Sequence, residues 1–111
     1  MTNQEIEQRV ERAKTLFRQG FNCSQSVFAA CADLYGIKDE TLALRLSASF
    51  GGGIGRMRQT CGAACGMFML AGLENGSTVE GDAEGKKRVY ADIRELAQRF
   101  KAQSGGSIVC R

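Results

Sequence analysis

The chain has 111 residues, 43% hydrophobic and 24% charged, which suits one domain with a modest core. Fifteen basic residues against twelve acidic ones give a net charge of +3, and the two signs are interleaved, which excludes the concentrated basic stripe of a nucleic-acid footprint. The longest apolar run, Met67 to Leu73, is too short to span a bilayer, and the polar start TNQEIEQRVERAK lacks the apolar segment of a secretion signal, so a cytoplasmic protein without membrane or nucleic-acid partners is expected.

Proline is absent and, outside the glycine run at 51–55, the chain is rich in helix formers. The expected fold is all-α, a small bundle of about five helices with a glycine-rich loop before the central cysteine-bearing helix. Thr2 and Glu5 have the spacing of a capping box, and Ile6, Val10, Ala13 and Phe17 recur on one face of the helix that follows. This stripe is expected to be core contact, with Gly20 ending the helix. Asn22 and Gln25 form a second capping pair, which puts Cys23 at the first position of the next helix. Val27, Phe28, Cys31, Leu34 and Tyr35 supply its buried stripe, and Gly36 closes it. Cys31, on that apolar face, reads as a small buried hydrophobe.

Asp39 caps a third helix through Ala48, which leads into Phe50-Gly51-Gly52-Gly53-Ile54-Gly55-Arg56-Met57-Arg58. Four glycines within five positions make a tight, bare loop, and two arginines follow it. The fourth helix begins near Thr60 or Cys61 and runs to the glycines at 72–76. Small side chains at Gly62, Ala63 and Gly66 allow another helix, or a cofactor, to approach its first turn closely. A polar, glycine-punctuated connection leads to a last helix, from about Asp82 or Glu84 to Gln103, with Val89, Ile93, Leu96 and Phe100 on one face. After the turn Ser104-Gly105-Gly106-Ser107, the segment Ile108-Val109-Cys110-Arg111 opens something that stops at once, as a truncated chain would.

Five cysteines with no secretion signal point away from a structural disulfide framework and towards metal, cluster or thiol redox chemistry. Histidine is absent, which excludes His-assisted nucleophilic catalysis, mixed Cys/His zinc sites and His-ligated haem. Cys23 and Cys61 both fall at helix starts, where backbone N–H groups, and for Cys61 also Arg56 and Arg58, attract a thiolate. Cys61 and Cys65 share a helix face with β-carbons about 6 Å apart. A disulfide wants nearer ~3.8 Å, so the partner of Cys61 must come from elsewhere, and Cys23 and Cys110 are the candidates. Convergence of Cys23, Cys61 and Cys110 with a fourth ligand would equally be the minimum for zinc or an iron–sulfur cluster. The GGGIG loop is not a nucleotide loop: no strand pattern precedes it and the Lys-Ser/Thr pair of a P-loop is missing.

GFNCSQSV around Cys23, FGGGIGRMRQTCGAACG around Cys61 and GGSIVCR at the end together resemble the family named for its cysteine pattern, C_GCAxxG_C_C. Cys61-Gly62-Ala63-Ala64-Cys65-Gly66 matches its central CGAxxG motif. The resemblance covers nearly the whole chain and implies an α-helical fold and a cytoplasmic redox or metal-related role. It implies site cysteines at Cys23, Cys61 and Cys110, and a further cysteine beyond the end of this chain. Cys31 and Cys65 are not motif positions, although Cys65 could substitute from one turn away.

Two functions are therefore expected to compete. In the first, Cys23 and Cys61 form a thiol/disulfide pair, with Cys110 as resolving thiol or third member, served by a redox partner protein. In the second, Cys23, Cys61, Cys65 and Cys110 are ligands of an iron–sulfur cluster or zinc. Leftover apolar faces on a bundle of this size make a homodimer the expected assembly.

Overall fold

A computed structural model describes residues 2–110 and arranges them as five α-helices: α1 (Asn3–Arg18), α2 (Cys23–Cys31), α3 (Glu40–Ser47), α4 (Gly62–Asn75) and α5 (Ala83–Gln103). Short 3₁₀ turns at Ala32–Tyr35 and Ala48–Phe50 extend α2 and α3. The all-α expectation therefore holds. Among the described residues no helix is long and apolar enough to cross a membrane.

Side chains set most of the helix starts. The Thr2 hydroxyl accepts from the Glu5 N–H at the head of α1. Asn22 and Gln25 complete a reciprocal box on α2: Asn22 Oδ1 accepts from Gln25 N at 2.9 Å, and Gln25 Oε1 accepts from Asn22 N at 3.0 Å. Asp39 and Asp82 cap α3 and α5 through the N–H groups of Leu42 and Gly85. α4 differs, because Cys61 occupies its N-cap position and its side chain makes no capping bond. Unsatisfied N–H groups at a helix start carry a partial positive charge, so α4 opens with an electropositive end.

α2 is the central element, with α4, α1 and α3 packed around it, while α5 lies against α4. The core consists of Leu16, Phe28, Ala29, Ala30, Ala32 and Ala43. Four of these six are alanines, which lets the helices approach closely. The closest approach is between α2 and α4. A β-carbon on Gly66 would stand 3.0 Å from the Ser24 carbonyl oxygen and 3.1 Å from Val27 Cβ, and one on Gly62 would overlap the Cys23 sulfur. Residues four apart share a helix face, so Gly62 and Gly66 form the bare strip on which α2 rests. Ser24 is sealed into this contact with no hydrogen-bond partner for its hydroxyl among the described residues.

Two expectations about packing need correction. The α1 stripe is not covered: Ile6, Val10 and Phe17 are 47%, 46% and 60% exposed, and the residue that enters the core is Leu16. α2 meets α1 with small side chains, so Ile6 and Val10 flank an open groove with Ala13, Val27 and Ala30 instead of being buried. Leu34 is also exposed, because α2 stops at Cys31 and tightens into a 3₁₀ turn that moves Leu34 off the helical face. α4 ends at Asn75 with Gly76 at its C-cap, within the glycines at 72–76 where its end is expected.

Arg9 ties α1 to the end of α2. Its Nη1 donates to the Ala30 carbonyl at 3.1 Å and forms an ion pair with Asp33. Partial burial pushes the Asp33 carboxyl up, but the hydrogen bond and charge of Arg9 together outweigh it and hold the group below the usual carboxylate range. A depressed carboxylate contributes stability above its unfolded value and loses it as pH falls through the folded one. Both partners are partly exposed, so Asp33→Asn should cost only about 0.5–1 kcal/mol at pH 7. The variant and the parent should converge in acid, below the ordinary carboxylate value near ~3.9, when urea denaturation is followed against pH.

Candidate functional site

Asn22, as N-cap, delivers Cys23 to the first position of α2. The same side chain donates through Nδ2 to the Ala48 carbonyl at 2.9 Å, and Gln25 Nε2 donates to the Leu44 carbonyl at 3.0 Å. The start of α2 is thereby fastened to α3 and to the entry of the glycine loop. The Cys23 sulfur lies against Gly62, the first residue of α4. It therefore sits at two helix starts at once, its own and that of α4. Consecutive Cα atoms are about 3.8 Å apart, so the Cys61 backbone is one residue from this contact.

The glycine loop winds the opposite way from the helices. Gly52, Gly53, Ile54, Gly55, Arg56 and Arg58 all have φ between 58° and 76°. Left-handed backbone costs an L-residue roughly 1–2 kcal/mol and is worst for a β-branched side chain such as Ile54. The loop recovers part of this through backbone bonds from the N–H groups of Gly55, Arg56, Arg58 and Gln59 to the carbonyls of residues 49 and 51–53. Its effect is to bring Arg56 and Arg58 round to the cleft that Cys23 lines.

Residues 108–110 turn back onto the entry of α4. Thr60 and Val109 form an antiparallel bridge, flanked by bonds from Cys61 N to the Ile108 carbonyl and from Cys110 N to the Gln59 carbonyl, both 2.6 Å. In such pairing Cys61 and Cys110 occupy diagonal positions on the same side of the ribbon, with typical separations of about 7–8 Å. Gly53 makes room for this return, since a β-carbon there would stand 2.6 Å from Cys110 Cβ. Arg58 Nη1 donates to Cys110 Sγ at 3.5 Å.

All five cysteines are unpaired thiols. Cys61 sits at the junction between the bridge and α4, as N-cap and not within the first turn. Cys65 is buried, and burial first, then the neighbouring Cys61 and Cys23, pushes its thiol up from the ordinary value. Cys23 and Cys61 are thus both neighbours of Cys65 near the head of α4, without converging on one point. Cys110 shares a cleft of about 560 Å³ with Cys23, Asn22, Arg56 and Arg58. Cys31 stands apart beside Arg9, and there too burial raises the thiol, which agrees with a structural role.

A family model described as "Putative redox-active protein (C_GCAxxG_C_C)" matches residues 21–111. The chain belongs to this family. No curated protein and no solved structure matches it. The match begins at Phe21, directly before the α2 cap, and takes in Cys23, Cys61 and Cys110. Arg111, the last residue of GGSIVCR, lies outside the described residues. In structural terms the family's CGAxxG motif places a cysteine at the N-cap of α4 and a glycine at each end of its first turn, where α2 makes its closest approach.

The four cysteines considered as metal ligands, Cys23, Cys61, Cys65 and Cys110, are not gathered to one point. Among the described residues no group of three or more His, Cys, Asp or Glu side chains stands close enough to hold a metal ion. The donor set as folded does not fit zinc or a cluster, each of which takes four protein donors in a structural site.

The Gly62 contact can be tested directly. Alanine ordinarily favours a helix over glycine, but here its β-carbon would press on the Cys23 sulfur and stand 2.9 Å from the Phe50 carbonyl oxygen, which cannot swing aside. Gly62→Ala should lower stability by about 1–3 kcal/mol, the usual cost of overpacking, and should change the alkylation rate of Cys23. Urea denaturation and mass-spectrometric labelling check the two effects separately.

Proposed function

We propose that the protein carries out thiol/disulfide exchange, with Cys23 as attacking thiol, Cys61 as its disulfide partner and Cys110 as a third thiol within reach of both. The observation that supports this most is the seating of the Cys23 sulfur against Gly62, between two helix N-termini and one residue from Cys61. A sulfur there stands at the positive ends of α2 and α4, and the bare glycine surface is what lets it come so near the Cys61 backbone.

The exchange begins when the Cys23 thiolate attacks one sulfur of an external disulfide. A Cys23–substrate disulfide forms, the substrate S–S bond breaks, and the departing thiolate takes up a proton. The Cys61 thiolate then attacks the Cys23 sulfur, forms the Cys23–Cys61 bond and expels the second substrate thiol. Two electrons pass from the protein to the substrate, and a dithiol on a redox partner protein returns them by the reverse sequence. Cys65, buried and held as a neutral thiol, takes no part.

Mild oxidation followed by non-reducing peptide mapping tests this reading. The expected product is a Cys23–Cys61 disulfide that a dithiol reverses, and Cys61→Ser combined with Cys110→Ser should trap Cys23 in a mixed disulfide. If Cys23 and Cys61 both remain fully alkylatable after oxidation, or if protein purified without oxygen carries stoichiometric iron and sulfide or zinc on these cysteines, the proposal is wrong.

A further inference from the structure

Two grooves meet at Cys23 and Phe17. One is the cleft of about 560 Å³ with Arg56, Arg58 and Cys110, and the other, of about 320 Å³, carries Lys14 and Arg18. Neither is lined by an aspartate or a glutamate. In a chain whose charges are otherwise interleaved, the surroundings of this thiol are of one sign. Among the described residues Arg18 and Arg56 form no ion pair, and the side-chain partner of Arg58 is the Cys110 sulfur. Lys14 alone is partly offset, by the exposed Glu11.

The arginines are also placed at a conformational cost. Among the described residues Arg56 and Arg58 are two of the three non-glycine residues with positive φ, and the third, Ile54, lies on the same loop. Left-handed positions bring both side chains onto the wall that Cys23 and Cys110 share. A planar guanidinium pairs with a carboxylate through two parallel hydrogen bonds, which makes arginine suited to grip an acid. The larger cleft is within the size range of small-molecule pockets, and the exposed ring of Phe17 supplies an apolar wall.

From this arrangement we infer that the substrate of Cys23 is a small disulfide bearing carboxylate groups, held by Arg56 and Arg58 with its S–S bond over the Cys23 sulfur. The inference rests on the exchange function proposed above. Cys23 attacks the nearer sulfur, a Cys23–S–S–R bond forms, and the departing carboxylate-bearing thiolate is protonated by water as it leaves. The second carboxylate-bearing thiol is released when Cys61 closes the protein disulfide. The two electrons come from the Cys23 and Cys61 thiols.

The test compares three small disulfides as oxidants of the reduced protein: dithiodiglycolate, with two carboxylates, neutral 2-hydroxyethyl disulfide, and cationic cystamine. Formation of the Cys23 adduct is followed by mass spectrometry, and each rate is divided by that of a simple thiol with the same disulfide, which removes intrinsic reactivity. The expected order is anionic over neutral over cationic, with at least a tenfold span between the extremes at low salt. In the wild-type protein that span should shrink severalfold at high ionic strength, where exposed charges are screened. Arg56→Asn and Arg58→Asn, which suit a left-handed backbone, should each reduce the ratio of anionic to neutral rates. Equal normalised rates for all three disulfides, or a span insensitive to both salt and the arginines, would overturn the inference while leaving exchange intact. If none of the three oxidises Cys23, the exchange function itself fails.

Discussion

The contact of α2 with the head of α4 governs both the core and the site. Gly62 and Gly66 present no side chain to α2, so the Ser24 backbone and Val27 settle almost on the α4 backbone and the Cys23 sulfur reaches the first residue of α4. Glycine within a helix costs about 1 kcal/mol relative to alanine, and α4 carries Gly62, Gly66 and Gly72. At the first two of these positions the cost is offset by an approach that alanine would block. The same geometry buries Ser24 without a hydrogen-bond partner among the described residues, a further cost accepted at this interface.

Around that contact the remaining pieces act as restraints. Asn22 joins the head of α2 to the end of α3, the left-handed loop carries the chain from α3 to α4 past Cys23, and Ile108–Cys110 closes the ribbon with Gln59–Cys61. Four distant parts of the sequence thus meet at one end of the bundle. Each restraint holds backbone directly, through a cap, a turn or a ladder bond, which keeps the thiols in a fixed mutual arrangement. The open grooves on either side leave Cys23 accessible, while Cys65, one turn into α4, is buried at 8% exposure.

Much of the local structure is legible in the sequence because it depends on neighbours along the chain. The caps at Thr2, Asn22 and Asp39 appear where their residue types and spacing place them, and so Cys23 falls at the first turn of α2. Features that depend on what lies across from a residue are not legible in this way. Periodicity finds the Ile6, Val10 and Phe17 face of α1 but carries no information on whether a neighbour covers it, and here small α2 side chains do not. The pairing of Val109 with Thr60 joins residues far apart in the chain, and without a strand pattern nothing local signals it. The glycines announce a loop, but not that Ile54, Arg56 and Arg58 would adopt the left-handed conformation with them. The CGAxxG motif marks the site's position, and its packing against Cys23 becomes visible only when α2 is set in place.

Cys23 is the accessible thiol at the junction of two helix starts, and Cys65 is buried one turn further along α4. Labelling the reduced, folded protein with substoichiometric iodoacetamide and ranking the five cysteines by mass spectrometry measures this most directly. Cys23 should be modified first and Cys31 and Cys65 last, and urea should abolish the ranking. Cys65 labelled as fast as Cys23 in the folded protein, or a ranking unchanged by urea, would contradict this.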